Sequence, residues 1–115
     1  MATFTIESET LTVHLSRPEK VAALRGDVRV PRSAVTGVTV EPDGLAAVRG
    51  IRAPGLAIPA RTKIGTWRGR GHRAFVCVRS GEPAVRITLS GTGDDELLVS
   101  TPEANDIAQH LARGG

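Results

Sequence analysis

The sequence has few of the residues from which catalytic and metal sites are built. It contains one cysteine, Cys77, and three histidines, which lie on separate predicted elements. A lone cysteine forms no internal disulfide, and it has no second thiolate with which to bind zinc. The histidines are not spaced as a pair of ligands on one helix, and no serine or cysteine stands beside a recognisable base and acid. We therefore predict no catalytic residues, no metal site and no cofactor.

Long apolar runs are also lacking. No stretch approaches the roughly 18 apolar residues of a membrane-spanning helix, and the N-terminal segment "MATFTIESET" has neither the basic start nor the apolar core of a secretory signal. At 115 residues, 40% apolar and 23% charged, the chain has the size and composition of one globular domain. We expect a single domain over residues 1–115 in the cytoplasm.

Aromatic residues are scarce as well, with two phenylalanines, one tryptophan and no tyrosine. Proteins that bind single-stranded nucleic acid stack bases on exposed aromatic rings. The segment "RGHRAFVCV" is only a distant match to the aromatic strand of RNA-recognition domains, because His72 and Val78 stand where that strand has aromatic residues. Specific nucleic-acid binding is therefore not expected.

Acidic residues are missing from the middle of the chain. Residues 44–81 contain eight basic residues and no Asp or Glu, although the formal charge of the whole chain is only +3. A positive block of this kind attracts anionic partners. Composition bias is the alternative, since the chain is rich in Arg, Ala, Gly, Val and Pro throughout.

Alternation of apolar and polar residues predicts strands along most of the chain. A hairpin is expected over residues 3–16, a strand that bends at Gly37 over 35–40, a hairpin over 64–79, and two further strands over 85–90 and 97–100. Glycine within a strand often marks a bulge, which is the reason for the expected bend. Two short extended segments, "VRVP" at 28–31 and residues 45–48, are added to these.

Three other segments depart from this alternation. "RPEKVAALRG" predicts a short helix, and "RGIRAPGLAIPART" predicts an ordered loop because its glycines and prolines interrupt both helix and strand. The C-terminal segment has apolar residues at the spacing of an amphipathic helix, with Thr101 as its cap and Pro102 in its first turn. The residues of that apolar stripe are Ala104, Ile107, Ala108 and Leu111.

Several stretches together resemble the bacterial pleckstrin-homology-like proteins of unknown function. The resemblance lies in "LRGDVRVPRSAVTGVTV", "GIRAPGLAIP", "GTWRGRGHRAFVCV", "VRITLSG" and "LLVSTPEA", and it covers residues 10–113. It implies a mostly β (α+β) fold in which seven strands, in consecutive meanders, form a strongly bent barrel or sandwich with one C-terminal amphipathic helix. It implies little about function and supplies no catalytic residues, since such barrels bind peptides, proteins or lipids.

The segment "KIGTWRGRGHRAFVCVRSG", residues 63–81, holds the candidate binding residues. Its arginines can make bidentate contacts to carboxylate or phosphate, whereas the alternative is an exposed hairpin tip without a ligand. Trp67 is either a large core residue or an exposed contact residue, and the first is favoured because tryptophan is usually well buried. The acidic run Asp94-Asp95-Glu96 is interpreted as a solvated turn, with a divalent-cation site as the less favoured alternative because the ligand spacing of a calcium loop is missing. The candidate set is Lys63, Trp67, Arg68, Arg70 and Arg73.

We therefore predict that the protein is a non-enzymatic binding or scaffold module. We expect a protein or peptide partner at a strand edge or at the basic face of the hairpin. Weak attraction to anionic lipid headgroups, or to the phosphate backbone of nucleic acid, is the alternative. Homodimerisation through a sheet edge also stays open.

Overall fold

The computed structural model describes residues 3–17, 27–44, 51–58, 62–69 and 71–113, with the backbone alone for 51–58, 62, 112 and 113. These residues form strands, one 3-10 turn at Arg32–Ala34 and a C-terminal helix. The elements are β1 (Thr3–Ile6), β2 (Thr10–His14), β3 (Val28–Pro31), β4 (Val35–Glu41), β5 (Ile51–Ile58), β6 (Thr62–Gly69), β7 (His72–Arg79), β8 (Ala84–Leu89), β9 (Glu96–Ser100) and α1 (Ala104–Arg113).

The strands form two sheets rather than one closed barrel. One sheet has three strands in the order β1-β2-β3, and the other has six in the order β4-β8-β9-β7-β6-β5. The expectation of seven strands in consecutive meanders is wrong on two counts. The described part of the chain has more strands, and β9 lies between β8 and β7, parallel to β7 and antiparallel to β8. Residues 90–95, between β8 and β9, reverse the chain direction, so β9 returns along β8 into the middle of the sheet.

A single apolar core lies between the two sheets and α1. Its largest members, such as Phe75, Leu11 and Ile87, are completely buried, and α1 adds Ala104, Ile107 and Leu111. The helix packs against β4 and β8. Its N-terminus is capped as expected, because the Thr101 Oγ1 accepts a hydrogen bond of 3.1 Å from the backbone N–H of Glu103. The predicted amphipathic helix is thereby confirmed.

The outer face of the six-stranded sheet is also buried at its centre. A second apolar cluster lies there, which we call the outer apolar cluster. It consists of Trp67, Ala74, Val76, Val78, Ala84 and Leu98. Since Phe75 and Cys77 point to the main core, β7 is covered on both faces, as its continuous apolar run predicts. A glycine at 44 lets the backbone pass close to this cluster. A Cβ there would lie 2.8 Å from both the Ala84 Cβ and the Ser100 Oγ.

The expected loop over residues 49–62 is wrong for its central part. Ile51–Ile58 forms β5, which pairs with β6 at the edge of the larger sheet. Its register is irregular between Arg52 and Gly55, the interval that contains Pro54. Proline and glycine are tolerated in edge strands and at bulges, so the residues that suggested a loop instead interrupt one edge strand.

The predicted hairpins of β1 with β2 and of β6 with β7 are confirmed. The bend at Gly37 is confirmed too, since the pairing of β4 with β8 shifts between Val35 and Gly37. The helix expected in "RPEKVAALRG" lies outside the described residues apart from Arg17. The short strand expected over residues 45–48 also lies outside them.

Candidate functional site

The five candidate residues do not share one surface. In the β6–β7 hairpin, Lys63 pairs with Val78, Trp67 with Ala74, and Arg68 with Arg73. Because side chains alternate between the faces of a strand, Lys63 and Trp67 lie on the outer face of the larger sheet, whereas Arg68 and Arg73 lie on the face of the main core. Arg70 lies outside the described residues.

Trp67 is a core residue. It is 4% exposed and belongs to the outer apolar cluster. Gly65, two residues earlier on the same face, pairs with Val76 and leaves room for large neighbours. The favoured interpretation of Trp67 as a large buried residue therefore holds, and its indole does not project from the surface as the anchor of an interface.

Arg68 and Arg73 form a basic pair at the end of the hairpin. Arg68 is exposed and forms no ion pair with the described residues. Arg73 keeps 44% of its side chain exposed, and its Nε lies 3.4 Å from the Asp94 Oδ1. Two backbone-linked hydrogen bonds hold the same position, since the Arg73 N–H donates to the Asp95 Oδ2 at 2.8 Å and the Asp95 N–H donates to the Arg73 carbonyl at 2.7 Å. The acidic turn thus fixes the Arg73 backbone and places a carboxylate near its guanidinium, although the Arg73 Nε has no hydrogen-bond partner in the described part of the chain.

A cleft of about 380 Å³ lies next to Arg73. Residues 27–30 of the β3 segment form one wall, and Arg73 with residues 92–94 forms the other. No β2 residue lines the cleft, although β2 pairs with every residue of β3. The cleft therefore borders the edge of β3 that is not paired with β2.

The edge of β3 away from β2 pairs with no described strand, and we call it the free edge of β3. It presents the backbone groups of Arg29. The Arg32 N–H donates to the Glu9 carbonyl at 2.9 Å, which makes that pair a hydrogen-bonded one in the antiparallel ladder. Hydrogen-bonded and non-hydrogen-bonded pairs alternate, so the Thr12–Arg29 pair is of the second kind. The N–H and C=O of Arg29 consequently point away from β2, toward the cleft.

The acidic side chains of the cleft are already engaged, whereas Arg29 is not. Asp27 accepts a hydrogen bond of 2.8 Å from the Leu15 N–H and contacts the His14 Nδ1 at 3.2 Å. Asp94 is 6% exposed and contacts Arg73. Arg29 is exposed and makes no ion pair within the described ranges. The lining therefore holds two basic and two acidic side chains, and Arg29 is the basic one that has no ion pair among the described residues.

A polar cluster on the outer face of the larger sheet is linked by internal hydrogen bonds. The Arg86 Nη1 donates to both carboxylate oxygens of Glu96 at 3.0 Å, and its Nε donates to the Glu41 Oε1 at 3.0 Å. The His72 Nε2 lies 3.7 Å from the Glu96 Oε1. Arg86 and Glu96 are both more than nine-tenths buried. The interpretation of Asp94-Asp95-Glu96 as a solvated turn is thus wrong, because Asp94 and Glu96 each turn inward to an arginine.

Sequence reasoning missed Arg29 and the cleft. The segment "VRVP" predicts an extended strand, but nothing in it predicts that one of its edges stays unpaired. The described residues contain no group of three or more His, Cys, Asp or Glu side chains that could hold a metal ion. Among the same residues, no helix is long and apolar enough to cross a membrane. No family model, curated protein or solved structure matches the chain.

Proposed function

We propose that the protein is a binding module that takes an extended, acidic segment of a partner protein into the cleft along β3. The observation that carries this proposal is the free edge of β3, which faces a cleft with Arg29 on one side and Arg73 on the other. Peptides commonly bind by adding a strand to such an edge.

The main chain of Arg29 supplies the first contacts. Its outward N–H and C=O can exchange two hydrogen bonds with one residue of an extended peptide. Pro31 has no N–H, so it offers only an acceptor at the end of β3. The backbone contact is therefore short, and side chains must supply the rest of the affinity.

Arg68 and Arg73 supply the charge recognition. Guanidinium groups bind carboxylates in a planar, bidentate geometry. Arg73 lies beside Asp94, while Arg68, its cross-strand partner, is exposed next to it. A peptide with Asp or Glu on the side that faces the hairpin end would satisfy both arginines.

A lipid surface fits this region less well than a peptide. Binding to anionic headgroups requires basic side chains that face one plane. Lys63 lies on the opposite face of the sheet from Arg68 and Arg73, so the basic side chains of the hairpin do not face one plane. A titration with anionic vesicles, run beside the peptide titration, distinguishes lipid binding from peptide binding.

A relation to the pleckstrin-homology-like proteins is part of the proposal. The mostly β architecture and the C-terminal helix packed on the sheet support it. The position of β9 between β7 and β8 does not belong to a simple series of meanders.

The test is a binding titration with a fluorescein-labelled, eight-residue peptide of alternating Glu and Val, followed by fluorescence anisotropy. We expect saturable binding that Arg68→Ser and Arg29→Ser each weaken about tenfold, or roughly 1.4 kcal/mol. Lys63→Ser removes a cation from the other face of the same strand as Arg68, and it should leave the affinity unchanged.

Equal losses in Arg68→Ser and Lys63→Ser would contradict the proposal, because they would show attraction to net charge alone. A parallel titration uses vesicles with an anionic phospholipid. Binding to the vesicles without binding to the peptide would overturn the peptide proposal in favour of lipid binding.

A further inference from the structure

Strand β4 is an edge of the larger sheet with an unusual composition. It pairs only with β8 among the described strands. Residues 35–40 read Val-Thr-Gly-Val-Thr-Val, so they carry no charge and are mostly β-branched. Edge strands of monomeric proteins are usually protected by charged residues, proline or short length, because unprotected edges pair with other strands.

The backbone groups that β4 turns outward can be identified from two hydrogen bonds. The Ser90 N–H donates to the Ala34 carbonyl at 2.9 Å, and the Leu89 N–H donates to the Asp95 carbonyl at 2.8 Å. Leu89 therefore directs its backbone groups to the β9 side, and by alternation Ile87 and Val85 do the same. Their cross-strand partners, Val38 and Val40, turn their N–H and C=O groups away from β8, to the free edge.

The other edges are better protected. β5 has Pro54 and an irregular register, and the four-residue β1 and β3 are short. β4 has one bulge, between Val35 and Gly37, after which Gly37–Glu41 pairs regularly with β8. This regular half presents the longest uninterrupted edge in the described part of the chain.

We propose that two copies of the protein pair through β4 in an antiparallel, symmetric manner, with the twofold axis at Thr39. In this register Val38 lies opposite the partner's Val40 and Val40 opposite the partner's Val38. Both residues turn their backbone N–H and C=O groups to the free edge, so each pair exchanges two N–H···O=C hydrogen bonds, four in total. The two sheets would join into one continuous sheet, an isologous interface of the kind that most homodimers use.

The side chains are compatible with this register. Thr39 is exposed and would face the partner's Thr39 in a non-hydrogen-bonded pair, a favourable combination across strands. Glu41 would lie opposite the partner's Gly37, and its carboxylate is already paired with Arg86. The axis therefore brings no like charges together. The interface uses a different edge from the peptide cleft, so the failure of one proposal would leave the other unaffected.

A charge exchange at Thr39 tests the proposal by sedimentation velocity over a range of protein concentrations. The unmodified protein is expected to dimerise. Thr39→Lys and Thr39→Glu each place two like charges at the axis and should raise the dimer dissociation constant roughly five- to tenfold or more. An equimolar mixture of the two variants should restore dimers, because Lys then faces Glu. A monomer at every concentration of the unmodified protein, or a mixture that stays monomeric while both variants are folded by circular dichroism, would overturn the proposal.

A disulfide test is independent of those variants. Opposed residues of a non-hydrogen-bonded antiparallel pair lie about 4.5 Å apart at Cα, within the range that a disulfide spans. Thr39→Cys is therefore expected to form a covalent dimer under mild oxidation. The exposed Thr36→Cys on the same strand should not, because its copies lie far from each other in this register. Cys77, the only natural cysteine, is buried and does not compete. Equal cross-linking of both variants would contradict the register.

Discussion

Two arginines of the larger sheet, Arg86 in β8 and Arg68 in β6, show how differently the fold uses one residue type. Arg86 keeps only 8% of its side chain exposed and donates hydrogen bonds to two carboxylates. Arg68 is exposed and forms no ion pair with described residues. Buried charge of the first kind holds strands together, whereas exposed charge of the second kind contributes little to stability and is available to a partner.

The difference between them comes from residues that are distant in sequence. Glu41 precedes Arg86 by 45 positions and reaches it because β4 pairs with β8. Glu96 reaches it because β9 pairs with the other side of β8. Arg68 stands beside β7, where its cross-strand neighbour is another arginine. The strand order, and not the local pattern, decides which arginine has a structural role.

The largest effect is expected from Arg86→Met. The substitution leaves the buried Glu96 carboxylate without its guanidinium partner, and breaking a buried ion pair in this way costs about 4 kcal/mol. The measurement is the free energy of unfolding in urea. Arg86→Met combined with Glu96→Met removes both charges, so it should recover much of the loss. A double variant no more stable than the single one would show that the pair does not account for the cost.

Trp67→Ala is expected to destabilise the fold by about 3 kcal/mol, because it empties a large volume in the outer apolar cluster. Urea unfolding again gives the value. The change should leave peptide affinity unaltered under conditions in which the variant is folded. A loss of peptide binding by folded Trp67→Ala, without loss of stability, would show that Trp67 takes part in peptide binding.

Much of the secondary structure could be predicted because it depends on local patterns. Alternation identifies the hairpins, and the apolar spacing from Ala104 to Leu111 identifies α1. β5 was missed because its Pro54 and Gly55 disfavour regular structure, yet an edge strand tolerates both. Proline and glycine argue against a central strand, which is hydrogen-bonded on both sides. They do not argue against an edge strand, which is hydrogen-bonded on one side only.

The candidate site was less predictable than the fold. The basic character of the hairpin is visible in the sequence, and Arg68 and Arg73 do lie together. The sequence does not reveal that Lys63 faces the other way in relation to the cleft, nor that Arg29 of another sheet lines it. The pairing of β9 with β7 brings Asp94 and Asp95 to Arg73, and this parallel contact has no local signature.

Asp94→Ala tests the intermediate case, a half-exposed arginine beside a buried acid. The loss of the contact with Arg73 should reduce the free energy of unfolding by about 1 kcal/mol, since the Arg73 side chain is 44% exposed to solvent. Peptide affinity should also fall, because Arg73 is no longer held against the turn. Chemical denaturation and the anisotropy titration measure the two quantities. An unchanged affinity would show that the orientation of Arg73 does not matter to binding.

The smallest effect on stability, and the sharpest contrast with Arg86, is expected from Arg68→Ser. An exposed side chain without an ion pair among the described residues contributes little, so the free energy of unfolding should change by no more than about 0.5 kcal/mol. The same variant should bind the acidic peptide about tenfold more weakly. Lys63→Ser should be neutral in both measurements. If Arg68→Ser proves as destabilising as Arg86→Met, then Arg68 has structural partners of its own, and the division between a structural and a binding arginine fails.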